Sequence, residues 1–284
     1  MSKVLTIQDF SCYGQCSLTV AIPILSAIGI ETVSLPTAVL STHTSGFKNF
    51  RVHDLSSFLK DILNHWKEEH LLFDALYTGY LGTSELVDTV KYLKNNYLEK
   101  DAVIIIDPAM GDKGKLYPSF DIKYAKKMQE LLDIGDIILP NVTEACYLSD
   151  VSYKEDYDEE FIKELLIKLR NKGAKNIILT DVSFDKDTTG VYSYVDDKFD
   201  YYKHNKLGEG YHGTGDIFAS TFTGIYLRTK DIYKAIKLSA DFVYRCILNT
   251  LGDNTHPYGV KFEPQIKYLL EEINKWKHIK IFTI

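Results

Sequence analysis

The sequence has little cysteine, and its cysteines lie far apart. Four of the 284 residues are Cys, which is too few and too scattered for a disulfide framework in a chain of this length. Cys12 and Cys16 are four residues apart, unlike the C-x2-C spacing of zinc sites, and no second Cys or His pair stands nearby in the sequence. We therefore expect reduced thiols and no zinc site.

Long hydrophobic runs and export signals are also missing. No run approaches the ~18 apolar residues that a membrane helix needs. The first ten residues, MSKVLTIQDF, lack the apolar stretch and cleavage site of a signal peptide. We find no linker, no low-complexity segment and no internal repeat. These absences predict a cytoplasmic protein with no membrane contact and a single domain over residues 1–284.

Neither sign of charge dominates the composition. There are 39 acidic and 33 basic residues, for a net charge of −6. This mild acidity argues against a nucleic-acid-binding protein, which would present a basic face and a high pI. Hydrophobic residues make up 45% and charged residues 25%, as in ordinary globular proteins, so a disordered or collagen-like chain is excluded.

What the chain does contain is an alternation of short apolar runs with longer amphipathic stretches. The apolar runs predict strands at 4–7, 32–35, 75–77, 102–106, 137–139 and 176–180. The stretches predict helices at 17–28, 55–66 (with Asp54 as N-cap), 83–95, 122–132, after Asn141, at 159–172, and over most of the chain from Thr214. Residues 190–204 depart from the alternation and predict an antiparallel hairpin turned at Asp196-Asp197. The pattern predicts an α/β fold: a mostly parallel central sheet with helices on both faces and no separate lid domain.

The residues that follow the predicted strands are polar. In a parallel sheet, ligands bind beyond the carboxyl ends of the strands. The loops at these positions are Gln8-Asp9-Phe10-Ser11, Thr78-Gly79-Tyr80-Leu81-Gly82, Asp107-Pro108-Ala109-Met110-Gly111-Asp112, Pro140-Asn141-Val142-Thr143-Glu144 and Thr180-Asp181. Each acid by itself is most simply a helix cap or a turn former. Together the loops predict a pocket for a metal ion and phosphates.

The strongest local motif is Gly208-Glu209-Gly210-Tyr211-His212-Gly213-Thr214-Gly215-Asp216. Its glycines match G-x-G-x-x-G, but a dinucleotide site also needs a strand before the motif and another after its helix. Two helical patterns follow Gly213 with no strand between them, so we reject that interpretation. A G-x-x-x-x-G-K-[ST] phosphate loop is absent as well.

Gly213-Thr214-Gly215-Asp216 stands where a helix is predicted to begin. Glycines at a helix start allow successive backbone N–H groups to converge on an anion, and the helix dipole assists. An Asp just behind these amides can accept a proton from an attacking hydroxyl, as phosphoryl transfer to an alcohol requires. The alternative is a simple N-cap with a tight turn. We expect His212, beside this segment, to be structural or solvent-exposed rather than catalytic.

Several of these motifs, in this order, resemble those of the pyridoxal/pyridoxamine kinase family of the ribokinase-like superfamily. The matching segments are Ile7-Gln8, Tyr13-Gly14, Ser41-Thr42-His43-Thr44, Thr78-Gly79-Tyr80-Leu81-Gly82, Asp107-Pro108-Ala109-Met110-Gly111-Asp112, Asn141-Val142-Thr143-Glu144 and Gly213-Thr214-Gly215-Asp216. The resemblance covers essentially the whole chain. It implies a three-layer ribokinase-like fold, transfer of the ATP γ-phosphate to the 5′-hydroxyl of a B6 vitamer, Mg²⁺ with K⁺ or Na⁺, and a homodimer.

The resemblance also implies roles by position. Asp216 would be the catalytic base, and the N–H groups from Gly213, Thr214 and Gly215 to Asp216 would form the anion hole. The vitamer pocket would be lined by Asp9, His43, Thr44 and Tyr80. ATP would be bound by Asp107, Asp112, Tyr117 (on a closing flap), Asn141, Glu144 and Thr180, with Asp107 and Glu144 as the metal ligands.

Asp9 is a departure, since the best-known family members carry Ser-His where this chain has Asp9-Phe10. A carboxylate near the vitamer ring would favour the cationic amine of pyridoxamine over the neutral aldehyde of pyridoxal. Alternatively, Asp9 hydrogen-bonds the ring or caps the following turn.

Three other functions remain open. A hydroxymethylpyrimidine kinase of thiamine synthesis uses the same chemistry, and Asp9-Phe10-Ser11 partly fits its N-terminal Asp-x-Ser. A sugar kinase is disfavoured because no separate lid domain is visible. A vitamer- or nucleotide-binding protein without catalysis is disfavoured because it would need no base at Asp216.

Overall fold

The strands of the computed structural model form one large sheet and one small hairpin. The structure describes residues 2–44, 46–208, 211–253 and 255–279, the last four of these as backbone only. The strands are β1 Lys3–Ser11, β2 Glu31–Leu40, β3 Val52–Asp54, β4 Phe73–Thr78, β5 Leu98–Ile106, β6 Gly111–Asp112, β7 Lys115–Leu116, β8 Ile137–Ile138, β9 Asn176–Val182, β10 Thr188–Val195 and β11 Lys198–Asn205.

The helices connect these strands and cover the sheet. They are α1 Leu18–Ile28, α2 Ser56–Glu68, α3 Ser84–Asn96, α4 Ile122–Met128, α5 Val142–Ser149, α6 Glu159–Asn171, α7 Thr214–Thr229, α8 Ile232–Thr250 and α9 Ile266–Ile279. Short 3-10 turns at Gln129–Leu131 and Glu263–Gln265 follow α4 and precede α9.

Nine strands form the central sheet, in the order β11-β10-β9-β8-β5-β4-β1-β2-β3. The six strands from β9 to β2 pair in parallel. Antiparallel pairing is confined to β3 at one edge and to β10 and β11 at the other. The prediction of a mostly parallel sheet flanked by helices is confirmed.

Alternation along the strands divides the core between the two faces of the sheet. Ile104 and Ile106 of β5 pack into the apolar cluster that contains α2 to α6. Ile105 points the other way, into the cluster that contains α1, α7, α8 and α9. Successive side chains of a strand face opposite sides of the sheet. A strand that is covered on both faces must therefore be apolar at every position, and the last residues of β5 meet this requirement.

Several predicted boundaries need small corrections. Leu55, not Asp54, occupies the N-cap position of α2; Asp54 instead accepts a hydrogen bond from the Ser56 N–H at 2.7 Å. The helix predicted at 122–132 is regular only to Met128 and then tightens to a 3-10 turn. The strands β1 and β2 run several residues further than their apolar cores, because backbone pairing continues to Ser11 and Leu40.

Two strong local patterns are confirmed. Asp196 and Asp197 both adopt positive φ, 49° and 58°, as a two-residue turn between β10 and β11 requires. After Gly213 the chain forms α7 and α8 with no strand between them, as predicted; Glu209 and Gly210 of that motif lie outside the described residues. None of the described helices is long and apolar enough to cross a membrane.

Candidate active site

The polar loops predicted to form a site do meet at one edge of the sheet. Backbone hydrogen bonds join them where the strands end: the Gly79 N–H donates to the Ile7 carbonyl, and the Asp107 N–H to the Thr78 carbonyl, each at 3.3 Å. Beyond β8, Asn141 forms an isolated parallel bridge with Thr180. The carboxyl ends of β1, β4, β5, β8 and β9 are therefore brought together.

The helix α7 begins at this edge with a glycine cradle. Gly213 is its N-cap, at φ 77°, and no side chain caps the first turn in the described part of the chain. A Cβ on Gly213 would lie 2.0 Å from the Gln15 carbonyl oxygen, whereas a Cβ on Gly215 would meet nothing within 4 Å. The space beside Gly215 at the start of α7 is thus open, with the positive end of the helix dipole behind it, which favours an anion.

Asp216 lies in the first turn of α7, next to these amides. Burial raises the pKa of Asp216 to about 7, and the negative charges of Asp9 and Glu144 add to the effect, while the backbone amide of Ser17 lowers it. A carboxylate with a pKa near the working pH is suited to general-base catalysis.

Glu144 and Asn141 form a capping box at the start of α5. The Asn141 side chain accepts a hydrogen bond from the Glu144 N–H, and the Glu144 carboxylate accepts one from the Asn141 N–H, both at 2.9 Å. The second Glu144 oxygen accepts from the Met110 N–H at 3.0 Å, and the Asn141 amide donates to the Gly111 carbonyl at 2.8 Å. These contacts fix the loop that follows β5 onto the helix start.

Asp107 and Glu144 are buried carboxylates, 7% and 3% exposed. Burial raises the pKa of both, that of Glu144 to about 7; for Asp107 the charges of Glu144 and Asp216 act in the same direction. No Lys or Arg in the described ranges forms an ion pair with either carboxylate. Uncompensated negative charge in such a place favours a cation.

A small hairpin, β6–β7, projects next to this acidic cluster. The turn of this hairpin is held against α5, because the Gly114 N–H donates a hydrogen bond to Thr143 Oγ1 at 2.9 Å. Tyr117 follows β7, and its N–H donates to the Met110 carbonyl at 2.9 Å. Burial, followed by the charges of Glu144, Asp112, Asp216 and Asp107, raises the pKa of Tyr117, which places its ring among the carboxylates with a neutral hydroxyl. Asp112 itself is exposed on the hairpin.

Asp9, at the end of β1, is 4% exposed and hydrogen-bonded on both oxygens. Ser17 Oγ donates at 2.5 Å and Ser11 Oγ at 3.1 Å. Burial raises the pKa of Asp9, and the two hydroxyls lower it. Ser17 adopts φ 50° and ψ −129°, which non-glycine residues rarely do, so the bond to Asp9 helps to hold the turn before α1. This geometry matches the alternative in which Asp9 caps the following turn.

Of the other residues predicted to line the vitamer pocket, Tyr80 lies near Asp9 and His43 lies near His212. The Tyr80 ring packs 5.1 Å from that of Phe120, and its pKa is raised by burial and by the charge of Asp9. The His43 ring is 5% exposed and 5.7 Å from that of His212. Thr44 is exposed at the surface.

His212 lies between two parts of the site and is not fully exposed to solvent. It is half-buried; burial lowers its pKa, the Asp112 charge opposes this, and the Lys113 charge acts with burial. Because Asp112 and Lys113 belong to the β6–β7 hairpin, His212 stands between that hairpin and His43.

The sequence analysis missed the contribution of the C-terminal segment to this region. The Tyr258 ring packs 4.7 Å from that of Tyr13, and its carbonyl accepts a hydrogen bond from the Gln15 N–H at 3.2 Å. The only available signal was an aromatic residue between Pro257 and Gly259, which predicts a turn and no more.

Comparison with known proteins agrees with this geometry. Residues 21–260 match the family model described as phosphomethylpyrimidine kinase. The chain belongs to this family. It is a kinase of the group that holds the pyridoxal and phosphomethylpyrimidine kinases.

Two solved structures share the fold over nearly the whole chain. One, from Bacteroides thetaiotaomicron, is assigned to the phosphomethylpyrimidine kinases and was solved in an orthorhombic crystal form with pyridoxal; it is 36% identical with a TM-score of 0.87, over 95% of this chain and 96% of that one. Pyridoxal kinase from Lactobacillus plantarum is 30% identical with a TM-score of 0.88, over 97% and 99%.

A relative on the thiamine side is similar as well. The hydroxymethylpyrimidine/phosphomethylpyrimidine kinase of Bacillus subtilis is 26% identical over 264 residues, covering 88% of this chain and 90% of that protein. Family membership alone therefore does not decide between two classes of substrate, the B6 vitamers and hydroxymethylpyrimidine.

Proposed function

We propose that this protein phosphorylates the 5′-hydroxyl of a B6 vitamer with ATP. The observation that carries the proposal is the carboxylate of Asp216, with a pKa of about 7, beside the open glycine cradle of α7. A base next to an anion site is the arrangement that phosphoryl transfer to an alcohol needs. The pyridoxal in the Bacteroides crystal and the pyridoxal kinase of Lactobacillus plantarum support a vitamer as the alcohol.

In the proposed reaction Asp216 accepts the proton of the 5′-hydroxyl as its oxygen attacks the γ-phosphorus. The bond from that phosphorus to the β-γ bridging oxygen breaks, ADP leaves, and Asp216 then releases the proton to solvent. The backbone N–H groups from Gly213, Thr214 and Gly215 to Asp216 stabilise the negative charge on the transferring group. Tyr117, near the hairpin, helps to exclude water that would otherwise hydrolyse ATP.

The buried acids provide the place for Mg²⁺. Asp107 and Glu144 would hold it, because they are buried and have no basic partner among the described side chains. Burial raises the pKa of both, and a bound cation would favour their charged forms. Within the described ranges no three His, Cys, Asp or Glu side chains are grouped as a complete metal site, so phosphate and water oxygens would complete the shell. Bound there, Mg²⁺ neutralises phosphate charge. We also propose that the reaction uses K⁺ or Na⁺ as a monovalent cation beside Mg²⁺.

The remaining site residues divide between the two substrates. We assign Asp9, His43, Thr44 and Tyr80 to the vitamer, because they lie on the β1, β2 and β4 side of Asp216. We place six residues on the nucleotide side, since they follow β5 or β8 or, for Thr180, lie within β9: Asp107, Asp112, Tyr117, Asn141, Glu144 and Thr180. We also propose that the protein acts in the cytoplasm as a homodimer of single-domain chains.

The test is a substrate panel. Purified protein with ATP, Mg²⁺ and K⁺ is offered pyridoxal, pyridoxine, pyridoxamine and hydroxymethylpyrimidine separately, and kcat/KM is measured for each. We expect the highest value for a B6 vitamer. Turnover of the pyrimidine alone would contradict the proposal, and so would the absence of turnover on all four.

Hydroxymethylpyrimidine kinase is the second candidate. The family model and the Bacillus subtilis relative favour it, and so does the Asp9-Phe10-Ser11 sequence, whose Ser11 hydroxyl donates to Asp9. The chemistry at Asp216 would be unchanged, so the substrate panel alone separates the two candidates.

A further inference from the structure

The segment between α8 and α9 returns over the loop between β1 and α1. We refer to residues 255–263 as the C-terminal strap. Gln15 contacts the strap twice by hydrogen bonds: its N–H donates to the Tyr258 carbonyl at 3.2 Å, and its side-chain Nε2 donates to Glu263 Oε1 at 2.6 Å. Gly259 lies against the same side chain, since a Cβ there would be 2.7 Å from the Gln15 Cβ.

The opposite side of Gln15 contacts the start of α7. Its carbonyl oxygen lies so close to Gly213 that a Cβ on that residue would be 2.0 Å away. Gly213 is the N-cap of α7, with φ 77°. The position of the Gln15 peptide therefore limits where the first amides of α7 can lie.

The strap also reaches the vitamer side. The Tyr258 backbone lies close enough to the buried His43 side chain to oppose the lowering of its pKa by burial, and the Tyr258 ring packs against that of Tyr13 at 4.7 Å. One residue of the strap is thus hydrogen-bonded to Gln15 and lies beside a predicted vitamer-binding residue.

We propose that Gln15 is a positioning residue: fixed by Tyr258 and Glu263, it holds the start of α7 in register with the vitamer loops. This inference rests on the proposed function for its kinetic consequence, while the contacts themselves do not depend on it. Gln15 and Glu263 are 248 residues apart in the sequence, so the pair joins the two ends of the chain at the site.

The test first breaks the Gln15–Glu263 hydrogen bond and then restores it with donor and acceptor exchanged. Gln15→Glu sets a second carboxylate against Glu263 at hydrogen-bond distance, which repels the strap. We expect kcat/KM for ATP to fall about tenfold or more, and amide hydrogen exchange in residues 211–217 to become about tenfold faster. Adding Glu263→Gln returns a donor opposite the new carboxylate and should restore both readouts to within about threefold of wild type.

Gln265→Glu is the matched control. It makes the same charge change two residues beyond Glu263, and the Gln265 side chain forms no hydrogen bond with the β1–α1 loop in the described structure. We expect it to match wild type in both readouts. If Gln15→Glu fails to fold, Glu263→Ala at the exposed end of the pair tests the same contact and should speed exchange in residues 211–217.

The exchange measurement needs no substrate, so it separates this inference from the proposed function. If no vitamer is phosphorylated, the proposed function is wrong, yet faster exchange at 211–217 in Gln15→Glu still supports the role of Gln15. Unchanged exchange there in a folded Gln15→Glu variant would overturn the inference. A double variant no better than Gln15→Glu alone would overturn it too.

Discussion

Two glycines of α7, two residues apart, should respond oppositely to the same substitution. Gly213 has φ 77°, and a Cβ there would be 2.0 Å from the Gln15 carbonyl oxygen. The left-handed backbone costs Ala about 1–2 kcal/mol, and shifting a packed backbone costs about 1–3 kcal/mol more. We expect Gly213→Ala to lower the free energy of unfolding by about 2–5 kcal/mol, and Tm by about 5–15 °C.

Gly215→Ala should instead be tolerated by the fold. Gly215 is helical, and no atom lies within 4 Å of the position that its Cβ would take. Ala is favoured over Gly in a helix by about 0.5–1 kcal/mol, so Tm should be unchanged or higher by about 1–3 °C. The new methyl group would occupy the space in which we place the transferring phosphate. We expect kcat/KM to fall about 10²–10³-fold, the loss typical when an anion-hole donor is disabled.

Thermal unfolding by circular dichroism and the steady-state rate with ATP and pyridoxal measure the two effects separately. Isothermal titration with ADP checks the nucleotide site without turnover. A Gly215→Ala variant that is stable and retains activity within about threefold of wild type would refute the assignment of the α7 cradle to the phosphate. A Gly213→Ala variant as stable as wild type would refute the packing argument at Gln15.

Three further predictions concern Asp216, Asp9 and Asn141. With Asp216 as the proposed base and its pKa at about 7, kcat/KM should fall as the pH drops through about 7. Asp9→Asn removes a charge that raises this pKa and should therefore shift the midpoint of the pH profile to lower pH; an unshifted midpoint would contradict this. Asp9→Ser should lower kcat/KM for pyridoxamine relative to pyridoxal. An unchanged ratio would mean that Asp9 does not select between the vitamers and serves only through its hydrogen bonds to Ser11 and Ser17. Asn141→Ala removes the capping box and should lower the free energy of unfolding by about 0.5–2 kcal/mol, which corresponds to a drop in Tm of about 1–8 °C. An unaltered Tm would mean that the capping box contributes nothing measurable to stability.

Much of the architecture could be predicted because it is encoded locally. The apolar run that ends at Ile106 identifies a doubly covered strand, and Asp107 directly after it falls at the ligand-binding edge by the geometry of parallel sheets. The Asn141-x-x-Glu144 spacing is a capping signal that can be recognised without a structure. These features depend on neighbours within a few residues.

The features that could not be predicted depend on distant contacts or on very short elements. The strands β6 and β7 have two residues each, too few to show a period of two. The contact of Gln15 with Glu263 joins residues far apart in the sequence, and neither residue belongs to a recognisable motif. The raised pKa of Asp216 comes from burial and from the nearby charge of Asp9, which only the assembled fold brings together.

The most direct test of the account is the rate of phosphate transfer to a B6 vitamer by wild type and by Asp216→Asn. The substitution keeps the size of the side chain and removes its ability to accept a proton. Single-turnover formation of the 5′-phosphate from pyridoxal, followed by mass spectrometry, gives the chemical step, and titration with ADP confirms that the nucleotide site is intact. We predict a loss of about 10³-fold or more in that step with ADP affinity within about threefold of wild type. Equal rates for the two proteins would contradict the role of Asp216 as the base.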